Sequence, residues 1–436
     1  MRNLLFPLAL CLSLSAAAPL GAQIEDLEST DVKIRKKAVE SLGEKGKGRQ
    51  GDTKTICDAL AKMVRDQPQE IREEAVIALI KTGTSDCQVG LEAASKDASP
   101  EIQSLAVDGL VNFYSPGYVK FGWLNSVKSF GKSLKNRFRE REPLLIDPYV
   151  KVSPSTQDAI ATLITGGSSM ESRANAARAS GILHAERSIP KLKEGLRAAD
   201  KEIVVESIRS LGKIRDTSIG PDMAFLLVNP SEDIQVAAAE TLGNLRTKEA
   251  VPSLVELARS GKKDVQRAAL TALAKIPDNG EEKLFLLFLN DKDAKMRGAA
   301  AEGIGRSGND GDLKLIQDSF ATEKSESARL SMAFAAVQLG DLNMVQYLVD
   351  GLDSTFHRLE ARPFLVELAR DPKVLSELYT PLTSGTRDQK IHLSTVIATS
   401  GTKDSIPHLE RATNDSDSRV AQAAITALKN LQARVG

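Results

Sequence analysis

Eight times along this chain an apolar residue is followed by a small residue four places on and an aliphatic residue eight places on. The triplets are Ile34/Ala38/Leu42, Ile71/Ala75/Leu79, Ile102/Ala106/Leu110, Ile203/Ser207/Leu211, Ile234/Ala238/Leu242, Val265/Ala269/Leu273, Met296/Ala300/Ile304 and Val420/Ala424/Leu428. Spacing of this kind puts all three side chains on one stripe of an α-helix, and a strand has no use for it. The small middle residue lets a neighbouring helix come close while the larger ones grip on either side. Leu79 and Leu110 are 31 residues apart, Leu211, Leu242, Leu273 and Ile304 follow at 31 each, and Ile304 to Leu428 is 124, four periods. A period held over so much of the chain marks an array of stacked helical units.

Acids stand at the start of each marked helix. Glu70, Glu101, Glu202, Asp233 and Asp264 directly precede the first apolar residue, and Asp31, Asp293 and Asp417 sit three places before theirs. Carboxylates there complement the positive end of the helix dipole and cap free amides. Gly43, Gly212, Gly243 and Gly305 follow the last triplet residue, which predicts left-handed C-terminal turns at these glycines. Between the marked helices lie shorter apolar-periodic segments such as Val251–Ala258, with Pro252 suited to a first helical turn. Each unit is therefore helix, turn, helix, turn. Composition agrees: aromatics are only 4%, too few for a β-sandwich.

Val251-Pro252-Ser253-Leu254, Asp264-Val265-Gln266-Arg267-Ala268-Ala269 and Ala237-Ala238-Ala239-Glu240-Thr241-Leu242-Gly243 resemble HEAT repeats. The period near 31 is similar to the short HEAT-like repeats of phycobilisome lyases. The resemblance implies an all-α fold, an α-solenoid of about 11–12 helix-turn-helix repeats, over most of the chain. It implies little about activity, because such relatives range from bilin lyases to passive scaffolds. Between Ile304 and Leu428 the period places triplet ends at Ala335, Val366 and Ile397, with polar residues at their starts; three units are expected, with either local insertions or Pro363 shifting the register. Asp31 to Gly43 is expected to cap the array at its N-terminal end.

The N-terminus reads as a secretory signal. Arg2 supplies charge, Leu4 to Leu14 an apolar stretch, and Ala16 to Ala22 small residues, which predicts cleavage after Ala22. Leu8-Ala9-Leu10-Cys11 departs from a lipobox in its bulky Leu10. The expected layout is a signal peptide over 1–22, N-terminal repeats over 23–117, a basic amphipathic insert over 118–152 and C-terminal repeats over 153–436. The mature chain is expected to be exported, periplasmic or secreted.

The insert interrupts the period. Trp123, Val127, Phe130, Leu134 and Phe138 fall on one face of a helix, and Lys128, Lys132, Lys135, Arg137 and Arg139 on the other. Between Pro116 and Val152 stand eight basic residues against three acidic ones, together with the only Trp. Three readings remain open: a decorated repeat packed on the solenoid, a partner-binding element using Trp123, Lys128, Lys132, Lys135, Arg137 and Arg139, or a helix lying on an anionic membrane surface. Pro143 and Pro148 stop the helix, so the following segment is expected to run back extended.

Cys57 and Cys87 are 30 residues apart, nearly one repeat, on adjacent units. Two states are open to them, a disulfide or a pair of buried apolar thiols. His184, His357, His392 and His408 show no metal-ligand spacing, and no nucleophile or phosphate-loop motif is present. His357 with Glu360, and His392 with His408, are weighed as metal or acid–base pairs and set aside as chance neighbours. No catalytic residue, metal or cofactor is expected. Lys plus Arg equals Asp plus Glu, 58 each, so no global field selects a nucleic acid.

The expected function is an exported, non-catalytic scaffold that binds a protein or extended peptide along its concave face. That face is lined by the second helices, with Arg72, Arg209, Arg267 and Arg297, which serve either a partner or a ladder of salt bridges between units. A lyase-like enzyme accessory or cofactor-protein chaperone, and a membrane-surface tether acting through the insert, are the alternatives.

Overall fold

The computed structural model describes residues 19–47, 52–119, 145–146, 150–277 and 280–436. The chain divides into two compact units, one up to Lys132 and one from Ser133. All regular structure among the described residues is helical, and in each unit it is a solenoid of antiparallel helix pairs. In the first unit the second helices of the pairs are Val32–Lys47, Gln69–Thr82 and Pro100–Tyr114. In the second unit they are Met170–Ile182, Lys201–Ile214, Glu232–Asn244, Lys263–Lys275, Ala294–Ser307, Glu326–Gln338, Arg358–Leu368, Arg387–Ser400 and Ser418–Val435. First helices are shorter, as in Gln88–Ala94, Ile189–Gly195 and Glu282–Phe288. Within each unit, successive second helices pack directly on one another.

The triplets form the core. Ile71, Ala75, Leu79, Ile102, Ala106 and Leu110 are buried, as are the triplets from Ile203 through Ile304. The first and last triplets are less covered: Ile34 is 44% exposed and Leu428 only partly buried. Before Ile34 the described residues hold the short helix Leu20–Glu25 and a turn at Asp26–Glu28, and Gln23 Nε2 donates to Ser41 Oγ at 2.6 Å. The acids act as the patterns require. Asp293 accepts from Lys295 N, Asp417 from Arg419 N and Asp31 from Lys33 N, while Glu70, Glu101 and Glu202 sit in first turns.

The glycines do something other than expected. Gly43, Gly212, Gly243 and Gly305 lie inside their helices, at the crossing with the next second helix. A Cβ on Gly243 would come 2.5 Å from Ala272 Cα, and one on Gly305 2.6 Å from Ala335 Cα. These positions are glycine because backbones touch there. In three of these helices the left-handed residue comes three places after the glycine, at Arg215, Arg246 and Gly308.

A second periodic device was not foreseen. In seven of the second helices the fourth residue reaches back with a planar side chain to a carbonyl of the loop, or of the last turn of the first helix, just before it. Arg35 donates to Ser29 O, Arg72 to Gln67 O and Gln103 to Asp97 O in the first unit. Arg173 donates to Gly167 O, Gln235 to Leu227 O, Gln266 to Arg259 O and Arg297 to Asp291 O in the second. Each bond satisfies an orphan carbonyl and fixes the turn between the paired helices. Val204, Ala361 and Ala421 occupy the same position without a donor.

Three units lie between Ile304 and Val420. Ala335 and Ile397 are buried at their expected places, but Val366 is only partly covered and Ala361, Leu365 and Leu368 fill the core instead. The shift follows from an extra turn, Gly351–Asp353, before this helix and from Pro363 within it. Phe334 and Phe364 stack at 4.7 Å across this junction. Within the insert, beyond Pro143, Ile146 is buried and its N–H donates to Ile182 O at 3.1 Å, outside any helix.

Candidate functional site

Successive second helices of the second unit carry a polar row beside the buried stripe. Arg209, Glu240 and Glu302 stand two places before the last triplet residue of their helices, and Asn244, Lys275 and Arg306 two places after it. Both sets therefore repeat at the period and line up from one helix to the next.

At its lower end the row is closed on itself. Arg306 Nε and Nη2 donate to the two oxygens of Glu367 at 2.8 and 2.9 Å, and Nη1 donates to Glu302 Oε2 at 3.1 Å. Ser331 Oγ donates to Glu302 Oε1 at 3.1 Å, and the guanidinium lies 4.5 Å over the Phe334 ring. Burial favours the neutral acid at Glu367, but the bond and charge of Arg306 outweigh it and hold the carboxyl below its ordinary value. Every charge here has its partner, as a covered ionic cluster requires.

At its upper end the row is open. Lys275 Nζ donates to Asn244 Oδ1 at 2.9 Å, and crowding by protein lowers its pKa even though the side chain keeps some contact with solvent. The Glu240 carboxyl is raised by the same crowding, opposed by the charges of Lys275 and Arg209. Glu240 is exposed to solvent and accepts no hydrogen bond from any described residue. Arg209 is half exposed and donates only to Glu206 of its own helix, at 3.1 Å. The open end thus offers a carboxylate beside two basic side chains, Arg209 and Lys275.

Of the four arginines singled out in the sequence, three belong to the ladder between units. Arg72 bonds Asp97 at 2.7 Å, Arg267 bonds Asp293 at 2.8 Å and Arg297 bonds Glu323 at 2.6 Å. Arg209 alone remains available on the row. Glu240, Lys275, Glu302, Arg306 and Glu367 were not singled out. Extending the search for the 31-residue period to polar positions finds Glu240, Lys275, Glu302 and Arg306.

Cys57 and Cys87 are joined by a disulfide, from the Thr53–Met63 helix to the turn that opens the next unit, with both sulfurs buried. Glu360 accepts from Ser327 Oγ at 2.8 Å, and His408 stacks on Tyr379 at 3.6 Å with Arg411 at its Nδ1. Among the described residues no three His, Cys, Asp or Glu side chains converge as a metal site would require. Trp123, Lys128, Lys132, Lys135, Arg137 and Arg139 lie outside the described residues, as does the signal segment up to Ala18. No described helix is long and apolar enough to cross a membrane.

The family model for HEAT repeats matches residues 221–287 and 254–337. Residues 221–337 carry HEAT repeats. No curated protein matches it. Among solved structures the HEAT array is similar to an engineered protein, at 21% identity and TM-score 0.29, covering 95% of this chain and 98% of that one. It is also similar to importin beta, at 12% identity and TM-score 0.43, covering 95% of this chain and 68% of that one.

Proposed function

We propose that the chain is an exported, non-catalytic HEAT-repeat scaffold that holds a protein or extended peptide along the face of its second helices. The supporting observation is the open end of the polar row, where exposed Glu240 stands between Arg209 and Lys275 with no hydrogen bond of its own among the described residues. A ladder that served only the fold would be closed there, as it is at Arg306 and Glu367. The basic insert, with Trp123 and Lys128 to Arg139, supplies a second contact to the same partner. Removal of residues 1–22 leaves Gln23 as the first residue, and the Cys57–Cys87 bond suits the oxidising compartment this export implies.

A photo-crosslinking side chain placed at Glu240, and another at exposed Glu256 on a first helix, tests the face in the native envelope. The reading expects adducts from position 240 and few or none from position 256. Equal capture from both positions would sink it. N-terminal sequencing of the purified native protein tests the export, with Gln23 as the expected first residue.

A further inference from the structure

The side-chain rung between helix and loop is missing where the fourth residue cannot donate, at Val204, Ala361 and Ala421, and at Val204 the gap adjoins a cavity. In the Lys201–Ile214 helix the fourth residue is Val204, which has no donor, and no described side chain reaches the carbonyls of Ala198 or Ala199. The unfilled space is a cavity of about 400 Å³, at the turns of two adjacent units. Three periods on, the same place is occupied by Arg297 in its fork with Glu323, and the cavity there shrinks to about 230 Å³. Val204 and Pro230 stand where that pair stands, so both partners of the rung are replaced by apolar residues at once.

The cavity has an apolar floor and a charged rim. Val204, Leu226 and Ile234 form the floor and are buried, while Phe225 walls one side and is 44% exposed. Arg197 lies 5.0 Å over the Phe225 ring, and its guanidinium makes no ion pair or hydrogen bond among the described residues. The other rim cation, Lys201, is already held by Asp233 at 2.5 Å. An apolar floor under one stacked, unengaged guanidinium is complementary to an apolar side chain beside a carboxylate.

We propose that this cavity is a docking site for an extended peptide that presents an aromatic or aliphatic side chain next to an acidic one. The apolar side chain fills the space left by the absent rung, and the carboxylate takes the fork of Arg197. The site lies at the turns rather than on the polar row, so it goes beyond the contact assigned to Glu240 and stands or falls separately.

The test uses the full chain and three fluorescein-labelled peptides, Ser-Gly-Phe-Glu-Gly-Ser, its variant with Gln for Glu and its variant with Ser for Phe, read by fluorescence polarisation. The first is expected to bind at least about tenfold more tightly than either variant. Val204→Gln restores the residue that Gln103, Gln235 and Gln266 supply at this position elsewhere in the chain, so it should fold and keep its melting temperature. It should weaken the Phe-Glu peptide by about tenfold or more by filling the cavity. Arg197→Ala should erase the preference for Glu over Gln and keep that for Phe over Ser. Failure of the wild-type chain to bind the Phe-Glu peptide, or undiminished binding by a folded Val204→Gln chain, overturns the proposal. Should Val204→Gln not fold, an unchanged Glu preference in Arg197→Ala overturns it equally.

Discussion

The guanidinium of Arg297 meets the carboxylate of Glu323 at two points, Nε to Oε2 at 2.6 Å and Nη2 to Oε1 at 2.7 Å. The same carboxylate accepts from the backbone N–H groups of Lys324 and Ser325 at 2.8 Å each. One side chain therefore ties a second helix to the turn that opens the next one. The fork is the strongest hydrogen-bonding geometry open to this pair, and Glu323 is almost wholly covered.

That pairing makes the array sensitive to acid. The bond from Arg297 pulls the Glu323 carboxyl down to about 2, and Arg267 holds Asp293 still lower. A carboxyl whose folded value is depressed stabilises the fold above its unfolded value, and that contribution disappears as pH falls through the folded value. For Glu323 the window runs from about 4.5 down to about 2, and the effect is roughly 3 kcal/mol at most. Urea titrations at pH 7 and pH 3 should show a smaller stability difference for Arg297→Gln than for the parent chain. An unchanged difference would remove the pair from the acid response.

Close backbone contact at the helix crossings predicts opposite outcomes for two glycines. Gly243→Ala forces a methyl against Ala272 Cα and should cost about 1–3 kcal/mol in spite of its better helix propensity. Gly166→Ala, at a helix end with nothing within 4 Å of its added Cβ, should stabilise by a few tenths to about 1 kcal/mol. Chemical denaturation followed by circular dichroism separates them; two shifts of the same sign would contradict the packing account.

The Cys57–Cys87 bond closes a loop with a sequence separation of 30. Restricting the unfolded chain over such a loop contributes about 3–4 kcal/mol. Reduction by dithiothreitol should speed amide exchange from Thr53 to Ala94 and leave Glu232 to Ser307 unchanged, because repeat arrays transmit stability only to near neighbours. Faster exchange throughout the chain would argue against that local effect.

The helical stripes and their acidic starts were legible because both depend on residues within one helix. Ile71/Ala75/Leu79 and Asp293 need no knowledge of what lies across the interface. Roles set by the neighbour were not. Gly243 next to Leu242 reads equally well as a turn or as a crossing, and only Ala272 decides it. Arg306 and Glu367 are 61 residues apart, so no window of local sequence joins them. Val204 reads as one more core residue in an amphipathic helix. Its meaning comes from what the other units carry at the same place. The unit around Arg358 slipped its register because Pro363 and an added turn break the spacing on which the period depends.

The rung from helix to loop is contained within a single unit, as from Arg173 to Gly167 or Gln235 to Leu227. A stretch of one period that is duplicated or lost brings or removes its own fastening intact. Such an array can change in length without redesign of its joints. A replacement at the fourth position, as at Val204, Ala361 and Ala421, then unfastens that unit alone and leaves the joints of the other units untouched.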